Sequence, residues 1–142
     1  PFGVGSVRDF FANPDLMATL DNLDEFHRRK LQANIDNFRL LREGLEVLQA
    51  DPVDDVRLGR LIDAHHARLR DGLGISTPTI EKILATAKAA GAWGGKVNGS
   101  GGGGCCYVYA DPAIAGNIIS AVQNSGYPAR LLHLDSGVRR DS

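Results

Sequence analysis

A run of glycines between two short apolar segments constrains this chain more than any other feature of its sequence. Seven of the thirteen residues from 94 to 106 are glycine, including all of residues 101–104. A glycine held in one conformation costs about 0.5–1 kcal/mol more than an alanine, so an ordered run of this kind needs a physical reason. Residues 93–98 and 105–109 carry strand-forming side chains on either side of it. The pattern predicts two strands joined by a glycine loop.

The composition of this loop indicates a phosphate neighbour. Consecutive residues that are free to adopt positive φ can turn several backbone N–H groups toward one anion, and the missing Cβ atoms let a nucleotide approach closely. No Lys-Ser or Lys-Thr pair follows the glycines, so the loop is not of the Walker type. It joins strand to strand, which excludes the dinucleotide fingerprint. A mobile connection is the alternative, but the apolar residues that follow at once would hold the loop near the sheet.

Two long helices are predicted ahead of the loop. Residues 23–49 contain no proline, and their apolar residues recur at spacings of three and four, as in an amphipathic helix. Asp51 and Pro52 end it, and a second helix is predicted over residues 53–71, with its stop at Gly72 and Gly74. The apolar stripe of the first helix comprises Leu31, Ile35, Phe38, Leu41, Leu45 and Leu48, and that of the second comprises Val53, Leu61, His65 and Leu69.

Two further helices are marked by a capping residue followed by proline. Thr77 can cap a helix whose first position is Pro78, and Gly91 is placed to end it. Asp111 and Pro112 repeat the signal and open a fourth helix that runs to about residue 124. The predicted buried faces are Ile80, Ile83, Leu84 and Ala87 in the third helix, and Ile114, Ile118 and Val122 in the fourth, which Gly126 stops.

The remaining segments complete an α+β domain. Residues 129–134 are predicted to form a third strand, and the charged residues 136–142 are predicted to be frayed. For residues 1–10 a short edge strand and an unstructured leader both stay open. Helices followed by a strand, loop, strand, helix and strand predict a small antiparallel sheet covered by helices on one face.

Size and charge narrow the class of protein. The chain has 142 residues and 15.2 kDa, which predicts a single domain over residues 1–142. A net charge of −1 without a long basic run excludes the electrostatic footprint of a nucleic-acid binder. No segment approaches the roughly 20 consecutive apolar residues that span a bilayer, and no signal peptide is visible. We therefore expect a cytoplasmic protein without a nucleic-acid or membrane partner.

The cysteines and carboxylates show no metal site. Cys105 and Cys106 are adjacent, so they cannot link distant segments, and we expect two reduced thiols in the core. They have no second ligand pair at the spacing of a zinc site. The isolated carboxylates are expected to be solvated charges: Asp54, Asp55, Asp63, Asp71, Glu81 and Asp135.

Three segments resemble motifs of the GHMP superfamily of small-molecule kinases. Residues 96–105 resemble its third motif, K-[LMV]-T-G-[AG]-G-G-G-G-[CF], with Asn98 at the threonine position. Residues 74–81 are similar to the helix start S-x-P-x-[IL]-[DE] of the same family. Residues 58–70 are similar to the galactokinase segment G-x-L-M-x-x-S-H-x-S-L-R, and we read Ala64 as replacing the serine before His65. The resemblance covers residues 53–110, in the order that the family has.

The resemblance implies both a fold and a reaction. It implies the ferredoxin-like α+β sandwich of the superfamily's C-terminal domain, with additional helices over residues 21–71. It also implies transfer of the γ-phosphoryl group of ATP, with Mg²⁺, to a small acceptor. The galactokinase-like segment favours a sugar or sugar phosphate as that acceptor. The phosphate loop, the catalytic polar group and the magnesium carboxylate of the family belong to an N-terminal half that this sequence lacks, so we expect no catalysis by the chain alone and no catalytic residue in it. The residues expected near ATP phosphates or acceptor are Asn98, Gly99, Ser100, Gly101, Gly102, Gly103 and Gly104.

Two further side chains are candidates with open alternatives. His65 lies between Leu61 and Leu69 at helical spacing, so it is either a packed core histidine or a contact to the acceptor or the glycine loop. Lys96 either pairs with a phosphate or points outward from its strand. The other histidines show no partner spacing and are expected to have no role: His27, His66 and His133.

Two other classes of function compete with a kinase. A free-standing ligand-binding or regulatory module could keep the loop without catalysis, although the first residue, Pro1, favours a fragment of a longer chain over a natural start. An assembly protein could use the long helix as an interface and would dimerise through Leu31, Ile35 and Phe38. The stripe on that helix is, however, also needed to cover the sheet.

Overall fold

The computed structural model describes residues 6–13 and 15–133. It contains six α-helices and two strands within these ranges. In chain order they are α1 (Asp9–Ala12), α2 (Asp15–Ala18), α3 (Glu25–Gln49), α4 (Asp55–Ala67), α5 (Pro78–Ala89), β1 (Gly94–Val97), β2 (Cys106–Tyr109) and α6 (Ala115–Asn124). Short 3-10 turns at Thr19–Asn22 and Pro112–Ile114 precede α3 and α6, and a π-helical turn at Arg68–Leu73 extends α4.

The predicted long helix is confirmed as α3, although its apolar stripe is covered only in part. The helix begins where the Asp24 carboxylate accepts hydrogen bonds from the amides of Phe26 and His27. Ile35 is fully buried in a cluster with Phe10 and Leu20. The C-terminal half of the stripe is about half exposed, contrary to the prediction that it faces the core: Leu41, Leu45 and Leu48.

The interface required by the assembly alternative is therefore already used within the domain. Leu31 packs against the cluster around Ile35. The ring of Phe38 lies 4.8 Å from that of Phe11. Ile35 is fully buried, and Leu31 and Phe38 are partly buried against the chain's own N-terminal segment, so only part of this stripe is left for a second copy.

The second helix differs from its prediction at both ends. It begins at Asp55, where the Asp54 side chain accepts from the amide of Arg57, and Val53 lies outside it. It ends at Gly74, whose φ of 70° is left-handed. The predicted stop at Gly72 is wrong, because Gly72 lies inside the π-helical turn. A Cβ there would lie 2.2 Å from the Ala33 Cβ, so Gly72 lets this turn approach α3 closely.

Both predicted cap-and-proline signals are confirmed. The Thr77 hydroxyl accepts from the amide of Ile80 at the start of α5, and the Asp111 carboxylate accepts from the amide of Ala113. The fourth helix opens with a 3-10 turn before its α-helical part. Gly91 and Gly126 take φ of 106° and 93° at the predicted ends. The faces of α5 and α6 meet in a core of Ala87, Ala92, Ile118 and Val122.

The two strands form an antiparallel sheet whose outer edge is covered by α4. Gly94 pairs with Tyr109, and Val97 pairs with Cys106. The face of Val97 packs on Ile80 and Leu84 of α5. On the opposite face, the backbone of α4 comes so near that a Cβ on Gly94 would lie 1.8 Å from the Gly59 carbonyl oxygen. The sheet is thereby fixed between α4 and α5.

The predicted third strand is wrong over residues 129–133, which form no regular structure. A strand needs a neighbour that accepts its backbone hydrogen bonds. Here the Ala129 carbonyl instead accepts from the Gln123 side chain, and the consecutive Leu131 and Leu132 are both exposed. Residue 134, the predicted frayed tail and residues 1–5 of the predicted leader lie outside the described ranges. Within the rest of the predicted leader, residues 6–8 form a bend and a turn and residues 9 and 10 begin α1, so neither alternative holds there. The α+β class with one small antiparallel sheet is confirmed.

No helix in the described ranges has the length and the apolar character that crossing a membrane requires.

Candidate functional site

The glycine loop forms an open concavity at the end of the sheet, lined by residues 98–105. Backbone conformation explains its composition. The five glycines of the loop have φ values that an L side chain adopts only with strain. These are Gly99 (83°), Gly101 (80°), Gly102 (74°), Gly103 (147°) and Gly104 (81°). The predicted need for positive φ is thus met at every glycine from 99 to 104.

Backbone hydrogen bonds hold the loop at its neck and in its middle. The Asn98 amide donates to the Cys105 carbonyl at 2.9 Å, closing the neck. The Gly102 amide donates to the Ile75 carbonyl at 2.8 Å, in the segment that connects α4 to α5. A Cβ on Gly101 would lie 2.5 Å from the same Ile75 oxygen, so the loop is packed directly against that segment. These contacts argue against a freely mobile connection.

Four of the loop glycines border open space. A Cβ added to Gly99, Gly102, Gly103 or Gly104 would meet no atom within 4 Å. The glycines at these positions therefore reflect backbone conformation and not crowding by the protein itself. Any side chain placed there would project into open space beside the loop, where a bound anion could otherwise reach the backbone.

The cysteines at the end of the loop differ in environment. Cys105 is exposed and lines the concavity, with its Sγ 3.8 Å from Asn98 Nδ2, so the prediction of two core thiols is wrong for it. Cys106 packs at the margin of the core cluster of Ile80, Leu84 and Val97. Burial raises the pKa of the Cys106 thiol, and the neighbouring Cys105 adds to the shift.

Lys96 and His65 lie near one another beside the sheet. In its strand, Lys96 is opposite Tyr107 and alternates with the buried Val97, so it occupies the other face of the sheet. Burial lowers the pKa of Lys96, which has no ion pair within the described ranges. Burial also lowers the pKa of His65 to about 4, with smaller contributions from the charges of Lys96 and His66. His65 is therefore neutral near pH 7.

The lowered pKa of His65 predicts a loss of stability in mild acid. The unfolded chain takes up a proton near the ordinary pKa of 6.5, whereas the folded protein resists it until about 4. The free energy of unfolding should therefore fall as the pH falls through this window. His65→Gln is expected to flatten this part of the profile, measured as the urea midpoint from pH 8 to pH 4. If the urea midpoint of His65→Gln varied with pH as steeply as that of the wild type, His65 would have the same pKa in the folded and unfolded states.

The side chain that the sequence analysis missed is His66. It is only 3% exposed, and its Nε2 lies 2.7 Å from Glu81 Oε1. Its Nδ1 accepts from the Val97 amide at 3.3 Å. His66 therefore has partners that its spacing did not indicate, and the prediction that Glu81 is an isolated solvated charge is wrong. Counting from Gly59 would have revealed the signal, because the histidine of the galactokinase-like segment falls on position 66 and its serine on position 65.

Glu81 lies at the centre of a polar cluster beneath the loop. It accepts hydrogen bonds from Ser76 Oγ at 2.5 Å and from Arg70 Nη1 at 3.2 Å, in addition to His66. Burial raises the pKa of Glu81, but these three hydrogen bonds outweigh it and the net shift is downward. Glu81 is the last position of the S-x-P-x-[IL]-[DE] segment. His66 and Glu81 therefore both lie in segments that resemble the kinase family.

The described residues contain no group of three His, Cys, Asp or Glu side chains placed to hold a metal ion. Another cavity lies between α3 and the π-helical turn. Its arginines are largely paired with carboxylates, as in Arg28 with Glu25 and Arg68 with Asp36.

Comparison with known proteins places these features in a family. Residues 19–128 match the model of the family described as GHMP kinases C terminal. Mevalonate kinase of Thermococcus onnurineus is 33% identical over 105 residues, which are 71% of this chain and 31% of that protein. Mevalonate kinase of Pyrococcus furiosus is 40% identical over 70 residues, 49% of this chain and 20% of that protein. Galactokinase of Streptomyces coelicolor is 30% identical over 125 residues, 87% of this chain and 32% of that protein.

A solved structure shows the same fold. The crystal structure of Lactococcus lactis galactokinase complexed with galactose superposes with a TM-score of 0.62 at 23% identity, over 89% of this chain and 32% of that one. The predicted α+β fold of the resembled C-terminal domain is thereby confirmed. The chain spans about a third or less of the length of each of these relatives.

Proposed function

Because this chain belongs to the GHMP kinase family, whose C-terminal model it matches, we propose that it is the C-terminal domain of an ATP-dependent kinase. The proposed reaction transfers the γ-phosphoryl group of ATP to a hydroxyl of a small acceptor, a sugar or sugar phosphate. An N-terminal half of the same protein would supply the remaining groups. This chain alone is not expected to catalyse the reaction.

The observation that carries this proposal is the glycine loop, which backbone hydrogen bonds hold in place and whose glycines leave much of its backbone uncovered. Phosphoryl transfer depends mainly on positioning and on stabilising charge on the phosphoryl oxygens. Backbone N–H groups on a loop with successive positive φ form the kind of concavity that binds anions. The loop here is fixed at Asn98 and Gly102, and four of its glycines border open space, which leaves room for an anionic group beside the backbone.

In this proposal, residues 98–104 contribute binding and orientation rather than bond chemistry. Asn98 and Ser100 add polar side chains at the neck and crest of the loop. Lys96, whose pKa is lowered by burial, is placed by β1 just before the neck. Mg²⁺, when bound with ATP, supplies charge neutralisation at the phosphates. We assign its protein ligands to the N-terminal half.

The acceptor is proposed to be a sugar or sugar phosphate. Support comes from the galactokinase relative that covers 87% of this chain and from the galactokinase structure with the same fold. Mevalonate is a second candidate, since a mevalonate kinase shows the highest identity among the relatives described above, 40% over 70 residues. Both acceptors present a hydroxyl to ATP, so the loop described here would serve either reaction.

An acceptor screen on the full-length protein tests the proposal. ADP release would be followed with galactose, galactose 1-phosphate and mevalonate, and the rate without acceptor would be subtracted. A sugar or sugar phosphate is expected to raise ADP release above that background. Turnover with mevalonate alone would replace the proposed acceptor by the second candidate. ATP binding without turnover on any acceptor would instead favour a regulatory module, and no ATP binding would remove the proposal altogether.

A further inference from the structure

The amide of Val97 points away from the sheet and toward α4. Val97 pairs with Cys106, and the next pair, Asn98 with Cys105, is the one closed by a hydrogen bond across the strands. Backbone amides of antiparallel strands alternate between facing the partner strand and facing outward. The Val97 amide is therefore an outward one, and its acceptor is the buried Nδ1 of His66, at 3.3 Å. Val97 is the last residue of β1 before the loop.

This contact fixes the tautomer of His66. Because Nδ1 accepts a hydrogen bond from a backbone amide, the ring proton must lie on Nε2. Nε2 then donates to Glu81 Oε1 at 2.7 Å. The carboxylate thus holds the ring in the one tautomer that leaves Nδ1 free to accept from Val97.

The same cluster contacts the loop from a second direction. Ser76, which donates to Glu81, directly follows Ile75. The Ile75 carbonyl accepts from the Gly102 amide in the middle of the loop. One polar unit therefore connects to the strand that enters the loop, through His66, and to the loop's midpoint, through Ser76 and Ile75.

We propose that His66 and Glu81 are positioning residues for the glycine loop. They fix the exit of β1 and the segment under Gly102, and so set the direction in which the loop amides face the ATP phosphates. Neither residue touches the nucleotide in this scheme. The inference rests on the proposed kinase function.

A pair of substitutions at His66 separates positioning from bulk stability. Asn places an amide oxygen near the former Nδ1, so His66→Asn can still accept from Val97 but cannot reach Glu81. Gln places its amide near the former Nε2, so His66→Gln can still bond Glu81 but leaves the Val97 amide without an acceptor. The KM for ATP, kcat and the thermal midpoint would be measured for both variants in the full-length protein.

His66→Gln is expected to raise the KM for ATP and lower kcat, with a loss in kcat/KM of about 10- to 100-fold from loop misplacement. His66→Asn is expected to recover most of this loss at a similar thermal midpoint. His27→Gln is the control, because His27 belongs to an exposed pair with Asp24 at the start of α3 and should leave ATP kinetics unchanged.

If His66→Gln showed wild-type ATP kinetics and only a lowered thermal midpoint, the inference would be overturned. His66 and Glu81 would then contribute to stability alone. If both His66 variants fail to fold, Glu81→Ala and Glu81→Gln provide the same comparison, since Gln retains an oxygen that can accept from His66. A wild-type protein that binds no ATP would instead refute the proposed function, so the two failures are distinguishable.

Discussion

Gly102→Val in the full-length protein is expected to lower kcat/KM for ATP by about 100-fold or more, because its side chain would occupy the concavity and displace the phosphates from the loop amides. An added Cβ at this position meets no protein atom within 4 Å, so the direct obstruction falls on the ligand. The φ of 74° adds backbone strain of about 1–3 kcal/mol. Steady-state ADP release at varied ATP concentration measures the effect.

Gly126→Val is the matched control for this substitution. Gly126 has φ of 93°, an added Cβ there also meets no atom within 4 Å, and it lies outside the loop, after α6. It should show a comparable drop in the thermal midpoint with ATP kinetics close to wild type. If the two variants lose activity equally, strain or instability explains the loss, and obstruction of a phosphate site does not.

Gly94→Ala is expected to destabilise the fold by more than about 3 kcal/mol, the range of severe overpacking. The new Cβ would lie 1.8 Å from the Gly59 carbonyl oxygen and 3.1 Å from the Asp63 Cβ. Both backbones would have to move apart, which would separate α4 from β1 and break the contact between His66 and Val97. Urea unfolding of the purified protein measures the change in the free energy of unfolding. Failure to recover any folded Gly94→Ala protein would also agree with the predicted destabilisation.

The control for this prediction is Gly44→Ala in the middle of α3. An added Cβ at Gly44 meets nothing within 4 Å, and the residue has an ordinary helical conformation. Replacing a helix glycine by alanine there should raise stability by about 1 kcal/mol. A Gly94→Ala protein that unfolds at the wild-type urea concentration would show that α4 and β1 are not packed as closely as described.

The parts of the fold that could be predicted depend on local signals. Thr77 with Pro78 and Asp111 with Pro112 each place their own hydrogen-bond acceptor next to the helix that they start. Left-handed Gly91 is likewise a property of one residue and its neighbours. The third strand failed because pairing is decided by a distant partner, which residues 129–133 lack.

Burial along the helices was harder to predict because more than one face is covered. A single stripe at spacing four singled out His65, yet α4 packs against both α3 and β1, and the buried histidine is the adjacent His66. Near the end of α3 the buried residue is Val47, which lies on another face of the helix, so Leu41 and Leu45 stay exposed although they continue the stripe. Periodicity indicates which residues share a face, but it does not reveal which face finds a partner.

In the candidate site, too, the parts that depend on local sequence could be predicted and the parts that depend on distant contacts could not. The glycine loop is contiguous in sequence, so its positive φ values and its place between two strands followed from composition. The pair of His66 and Glu81 joins residues fifteen positions apart on different helices, and no local rule brings them together. Only their positions in two resembled motifs could have indicated that both have a role.

A thiol footprint at Cys105 tests most directly whether the glycine loop lies at the nucleotide phosphates. Cys105 is exposed and lines the concavity, whereas Cys106 packs at the edge of the core, and Cys106→Ser would leave Cys105 as the one thiol of this domain. In the full-length protein, saturating ATP is expected to slow alkylation of Cys105, while adenosine, which lacks phosphates, leaves the rate unchanged. Alkylation at the same rate with and without bound ATP, its occupancy verified by calorimetry, would mean that the phosphates bind elsewhere.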